Sequence, residues 1–266
     1  MKKTLIWIIA VVVTIGIALY QKMTGPTYPL KVEYQEQVIK FIRSGTTGQP
    51  TPITIKGHSN YNSANVIWRY YPGDYSFDTL SMEYNGEYWA AQLPSQPPAG
   101  KLAYYVELMN EEGDIVFSTK DNPVIIRYKG EVSAWALIPH IIFMFAASLL
   151  SIATLFRIIL NQGSYKLTAL LTLISLALGG LVFGPIVQNY AFGHYWTGFP
   201  FGYDLTDNKT LLVFIIWAIA LFANRKKENK VWIVFAIVSM IIINSIPHST
   251  MGSELNRETG SVETAE

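Results

Sequence analysis

Five apolar runs constrain this chain more than any other feature: Leu5–Tyr20, Ala134–Phe156, Leu167–Val187, Thr210–Ala223 and Val231–Ile246. A helix that crosses a bilayer needs about 20 mostly apolar residues, because each residue adds only ~1.5 Å. The second and third runs meet that length. The fourth and fifth reach it by extending into polar flanks or by thinning the bilayer locally. Half of the residues are hydrophobic and only 15% are charged, a balance seldom met in a water-soluble domain. The expected fold class is a membrane α-helical bundle with five transmembrane helices, interrupted between the first and second by a segment of different character.

Lysine and arginine between the runs give the bundle a direction. Lys2 and Lys3 precede the first run. Arg157 and Lys166 bracket the turn between the second and third, and Arg225, Lys226, Lys227 and Lys230 fill the turn between the fourth and fifth. Placing these clusters in the cytoplasm alternates through all five runs without conflict. The N-terminus then lies inside a bacterial-type cytoplasmic (inner) membrane, with residues 21–132, the loop 188–209 and the tail from Pro247 outside. All 4 histidines, and every acidic residue except Glu228, fall on the outer side. The first run also admits a reading as a secretory signal, with Gly16-Ile17-Ala18 as the small-x-small cleavage site. Against cleavage, the apolar stretch continues through Leu19-Tyr20; either outcome exports the segment that follows. There are 0 cysteines, which excludes a disulfide framework and Cys-ligated zinc or Fe–S centres.

Residues 27–129 alternate short β-rich stretches with turn residues. The stretches are Lys31–Ile42, Pro52–Lys56, Asn65–Tyr71, Leu80–Tyr84, Tyr88–Leu93, Lys101–Met109, Ile115–Ser118 and Val124–Tyr128. Asn85-Gly86 between alternating arms is the strongest hairpin signal. This spacing predicts an exported all-β antiparallel sandwich with Trp68 in its core. The stretch from Gly86-Glu87-Tyr88-Trp89 to Leu93-Pro94, followed by Gly100-Lys101-Leu102-Ala103-Tyr104-Tyr105-Val106, resembles the central strands of fibronectin type III and immunoglobulin-like modules. That resemblance covers only this part of the chain and implies a binding or spacing module without catalytic residues. His58 reads as an exposed loop residue. The domain organisation expected is an anchor and linker over 1–26, the sandwich over 27–129, a four-helix bundle over 130–247, and a polar, disordered tail over 248–266.

The membrane half carries the candidate chemistry. Ile138-Pro139-His140 and Ile246-Pro247-His248 stand at two run ends that share the outer surface. Pro139 suits the first helical position, and Pro247 suits a helix stop. Between them the loop Tyr190–Lys209 holds seven aromatic residues and three glycines. Its composition predicts a loop packed down onto helix ends. His140, His194 and His248 with Asp204 or Asp207 form an N/O donor set suited to zinc or another transition metal. Two of the imidazoles would alternatively ligate haem iron. The bland reading is an interfacial aromatic belt, with Asp207 and Thr206 capping the fourth helix. Within the runs, Gly180–Gly184 with Gly179 predicts close helix contact. Ser148, Ser151, Thr154 and Asn244 are candidates for bonds between helices.

No charged side chain lies deep in a run, where it would cost about 2.5–3.5 kcal/mol on insertion scales. That argues against an ion channel or proton pump. No phosphate loop, dinucleotide fingerprint, HExxH or GxSxG pattern occurs, and a net charge of +1 offers no face for nucleic acid. The expected function is an accessory or assembly subunit of the cell envelope, with the sandwich docking other envelope or membrane proteins. The competing expectations are a metal-dependent hydrolase of a lipid-linked substrate and a b-type haem redox subunit.

Overall fold

The computed structural model of this chain describes residues 3–57, 61–248, 250 and 252–264. Lys2, His58 and Glu266 lie outside the described residues. The chain divides into two compact units: a helical unit (Met1–Pro26, Val132–Ser253 and Glu263–Glu266) and a β unit (Thr27–Glu131 and Glu254–Val262).

The helical unit is built from α1 (Lys3–Thr24), α2 (Ala134–Ile159), α3 (Lys166–Leu176), α4 (Gly184–Phe192), α5 (Leu205–Ala223) and α6 (Lys230–Ser245). Among the described residues, 4 helices are long and apolar enough to cross a membrane: Thr4–Thr24, Ala134–Ile159, Lys166–Phe192 and Leu205–Ala223. The expectation of five is corrected by α6, which has only 16 residues. Asn229 caps its start by accepting the Val231 N–H at 3.2 Å, and Pro247 follows its last turn, so polar chemistry closes both ends.

The third run departs from a plain α-helix. Between α3 and α4, Ala177–Phe183 winds as a π-helix, and the Gly184 N–H donates to the Gly179 carbonyl. Pro185 explains the wide turn. It has no N–H to donate, and its ring would clash with the carbonyl four residues back, so the preceding turn opens. The glycines then allow close approach. A Cβ on Gly179 would lie 3.0 Å from the Met144 backbone nitrogen, and one on Gly180 would lie 2.5 Å from Thr210 Cγ2. Gly179 and Gly180 are therefore the contact pair, and Gly184 meets nothing so tight.

The α2 helix begins at Ala134, ahead of the expected position of Pro139, which sits inside the helix. Ile6 and Ala10 of α1 pack against Ile152 and Ala153 of α2. A second core joins Ala147, Ala169, Trp217, Ala220, Ile233 and Ala236, whose small residues let helices approach closely. Of the four candidates for interhelical bonding, Thr154 makes such a bond, donating to Thr168 Oγ1 at 2.8 Å, while the buried Ser151 hydroxyl has no partner among the described residues.

The β unit contains β1 (Leu30–Tyr34), β2 (Gln37–Phe41), β3 (Ser44–Thr46), β4 (Thr51–Lys56), β5 (Ser63–Tyr71), β6 (Asp78–Ser81), β7 (Glu83–Tyr84), β8 (Tyr88–Leu93), β9 (Lys101–Met109), β10 (Ile115–Ser118) and β11 (Val124–Lys129). One sheet runs β3-β11-β9-β5-β6 with β10 also on β9; a second runs β4-β8-β7; β1 and β2 form a hairpin. The single stretch expected over Lys31–Ile42 folds back at Gln35-Glu36, both at positive φ. Asn85-Gly86 turns β7 into β8, with Asn85 Oδ1 accepting the Tyr88 N–H at 2.8 Å. Alternating residues of both sheets bury Ile53, Ile55, Leu93, Leu102, Tyr104, Val106, Ile126 and Trp68 in one core, consistent with a β-sandwich.

The polar tail is structured rather than disordered. Ser253–Leu255 (β12) and Val262–Thr264 (β13) form a two-stranded sheet. The turn between them is closed by Asn256, whose carbonyl accepts from Gly260 at 2.8 Å, with Gly260 at φ 70°. Asn256 Oδ1 also accepts the Glu258 N–H at 3.0 Å, so local side-chain bonds hold the turn.

Candidate functional site

The sequence Asp204-Leu-Thr-Asp-Asn-Lys209 opens α5, and five of its six residues bond to other parts of the helical unit or to the helix start itself. Asp204, not Asp207, is the N-cap: its Oδ1 accepts the Thr206 N–H at 2.8 Å. Its Oδ2 accepts both the Ser253 N–H and the Ser253 hydroxyl at 3.1 Å. Asp207 stands in the first turn, where a carboxylate meets the positive end of the helix dipole. Its Oδ2 accepts the Thr197 N–H at 2.7 Å and the Gln188 side-chain amide at 3.1 Å. Asn208 Oδ1 accepts the Phe199 N–H at 2.6 Å. Lys209 is buried, and its ammonium donates to the Ile246 carbonyl at 2.7 Å. Gln21 of α1 reaches the same corner, donating to the Asn244 carbonyl at 2.9 Å.

This hub fixes the aromatic loop in an unexpected way. Thr197 and Gly198 are buried, and Thr197 also meets Ser253 Oγ at 3.2 Å. The backbone of the loop is thus pinned by buried polar bonds. Its aromatics nonetheless point outward: Phe201 and Tyr203 are 80% and 82% exposed. The loop holds down through its small and polar residues, not through its rings.

The histidines do not join the carboxylates. His140 lies inside α2, half-buried, with Nδ1 at 2.8 Å from the Gly179 carbonyl. A carbonyl only accepts, so Nδ1 carries the hydrogen and Nε2 keeps its lone pair. The π-turn that presents Gly179 therefore also sets the His140 tautomer. His248 follows Pro247 and lies within electrostatic reach of Lys209 and His140. Part of His248 is open to solvent, yet protein packs densely around it. That burial, then the Lys209 cation and the His140 ring, lower its imidazole below the usual range. His194 is exposed beyond the Gly193 cap of α4.

Of the five candidate ligands, then, His140 and His248 lie within electrostatic reach of one another, Asp204 and Asp207 are engaged by Ser253, Thr197 and Gln188, and His194 stands apart. Among the described residues, no group of three or more His, Asp or Glu side chains is placed to hold a metal ion. The residues missed in sequence are Lys209, Gln188, Thr197 and Ser253. Only Lys209 carries a signal there, as a cation at the start of an otherwise apolar helix. Serine and threonine bonded across long separations have none. Compared with known proteins, the chain matches no family model and no curated protein.

Proposed function

We propose that this chain is an integral membrane protein of the cell envelope in which the helical unit is the membrane scaffold and the β unit docks another protein, making it an accessory or assembly subunit. One observation carries the reading: a sandwich with a complete core of its own is spliced between apolar helices of spanning length. The connection order supports the docking role. The order β4-β8-β7 against β11-β9-β5 parallels the B-E-D and G-F-C order of immunoglobulin-like modules, with the buried Trp68 at the place of their strand C, and this supports the reading. Such modules bind through their surfaces and carry no reaction centre of their own.

The charge pattern supports an inward placement of the basic turns. Lys230 Nζ donates to Asn161 at 3.0 Å and Lys166 pairs with Glu228 at 3.3 Å, so the turns before α3 and before α6 share one end of the unit. The hub around Lys209 and Ile246 belongs to the opposite end. Lys209 does not offset this bias, because it is buried and Asp204 offsets its charge. With the basic end cytoplasmic, the β unit, the aromatic loop and the C-terminal segment face outward.

A second reading rests on His140 and His248. A ring whose Nδ1 is tied to a carbonyl is oriented as metal-ligating histidines commonly are, and a second imidazole lies within electrostatic reach of it. This favours a two-imidazole haem or metal site over the five-residue set, and the nearby Lys209 cation weighs against a divalent ion. One purification separates the readings. Extracted in mild detergent, the docking subunit is expected to bring a stoichiometric partner and no Soret band. A Soret band or stoichiometric metal that disappears in both His140→Ala and His248→Ala would replace the first reading with the second.

A further inference from the structure

We propose that the β-unit surface formed by Tyr70, Gln96, Ala99 and Lys101 is a peptide-recognition site, filled in cis by Glu254–Arg257 and open in trans to a strand-and-turn segment of a partner protein that carries a carboxylate three residues before an arginine. The proposal rests on the docking reading and says where the docking occurs.

The receptor side is held by bonds of its own. Gln96 is 4% exposed, and its side-chain amide donates to the Pro94 carbonyl at 3.3 Å and the Ser95 carbonyl at 2.7 Å. Those two bonds turn Oε1 toward the tail, where it accepts from Arg257 Nη2 at 2.8 Å. The Lys101 carbonyl accepts from the same nitrogen at 3.1 Å. The Tyr70 ring forms the floor, with the guanidinium carbon 3.9 Å from its centroid. An acceptor fixed by two carbonyls, a second carbonyl and an aromatic face make a cradle for a guanidinium and not for a lysine.

Two further features read the rest of the segment. The Lys101 ammonium pairs with the Glu254 carboxylate, with only 15% and 20% of these side chains exposed. Arg127 faces Lys101 across the sheet, so this corner of the β unit is electropositive and favours a carboxylate. The Ala99 carbonyl accepts the Leu255 backbone N–H at 3.3 Å. The site therefore reads an acid and a backbone amide on a short strand, and an arginine at the start of the turn that follows it.

The tail is a guest of the sandwich and not part of its core. No side chain of 254–262 belongs to the core cluster, whose members end at Tyr128. The fit in cis is also incomplete, because Arg257 Nε is buried without an acceptor among the described residues. A segment that fills that bond competes favourably. Segments held by a few polar contacts open at low cost.

The test uses a chain ending at Ser253, in detergent, and a fluorescent peptide of residues Ser253–Thr264. The truncated chain is expected to bind the peptide saturably. Arg257→Ala or Glu254→Lys in the peptide should each weaken binding about tenfold or more, as loss of a charge-assisted contact does. The full chain should bind the same peptide about tenfold or more weakly, because its own tail competes at high effective concentration. Lys101→Glu in the truncated chain should recover the Glu254→Lys peptide and reject the parent. A truncated chain that still unfolds cooperatively but binds nothing, or binds the variants equally, overturns the site. Dimers of the full chain formed by tail exchange overturn the partner as occupant. A co-purified envelope protein that the free peptide displaces supports both readings. One it does not displace keeps the docking reading and sinks this site, and peptide binding with no co-purifying protein leaves the tail as a cis strap and sinks both trans readings.

Discussion

The two units of this protein solve opposite packing problems with similar residues. In the β unit the large apolar side chains go inward: Phe41, Leu93, Leu102, Leu108 and Ile126 are fully buried, and half of the exposed large residues there are tyrosines. In the helical unit large apolar side chains lie on both faces, with Trp217, Ile233 and Ile237 buried. Ile8, Val12, Ile142, Leu167, Phe222 and Val231 face outward, while Thr154, Thr168, Thr172, Asn224, Asp207 and Lys209 are buried. The difference teaches which solvent each surface meets. Water drives apolar surface together, as in the sandwich. Lipid removes that drive between helices, so small residues and hydrogen bonds hold them instead.

The sharpest way to break this comparison is to place the same charge at equally exposed sites in the two units. Val38 on β2 and Ile142 on α2 are 56% and 58% exposed. Val38→Arg should change stability by no more than about 0.5 kcal/mol, as surface substitutions in water do. Ile142→Arg should cost about 2.5–3.5 kcal/mol of insertion free energy, which a membrane-integration assay reads as a fall in inserted chain. Equal, small effects at both sites would remove the case for a lipid-facing α2.

A smaller effect sharpens the polar side of the comparison. Asp207→Ala withdraws the acceptor of the Thr197 N–H and the Gln188 amide, leaving buried donors unpaired at a cost of about 1–3 kcal/mol. The loop carrying Phe201 and Tyr203 should then loosen, seen as faster amide exchange at 196–199 with the β unit unaffected. Unchanged exchange there would mean that the rings, and not the hub, hold the loop.

The same contrast explains what was legible in the sequence. Period and composition encode local partners, so the apolar runs, the Asn85-Gly86 hairpin and the burial of Trp68 could be read directly. Gln35-Glu36 could not, because neither residue advertises the positive φ that its turn uses. The apolar run already begins at Ala134, where α2 starts; what misled was Pro139, which reads as the first helical residue but is tolerated inside the helix. The site was the least legible part. Asp204, Asp207 and the histidines looked like one donor set because sequence shows residue type and approximate depth, not direction. The carboxylates are spent on Ser253, Thr197 and Gln188, partners set by tertiary packing. The tail looked disordered because, beyond the local bonds of Asn256, its order comes from an ion pair and an arginine contact to residues far away in sequence.

The smallest expected effect concerns protons at His248. Burial, the Lys209 cation and the His140 ring all disfavour the charged imidazole, so its folded pKa lies below the ordinary value of about 6.5. Between those two values the unfolded chain binds more protons than the folded one. Stability therefore rises with pH through that window and is lost as pH falls below about 6.5. His248 has exposed surface, which screens the effect and keeps it modest. The helical unit in detergent should show a lower thermal midpoint at pH about 5 than at pH about 7.5, followed by the helical circular dichroism signal. His248→Gln should flatten that dependence. An unchanged slope in the variant would assign the acid sensitivity elsewhere and leave Lys209 without a charged neighbour at its corner of the bundle other than Asp204.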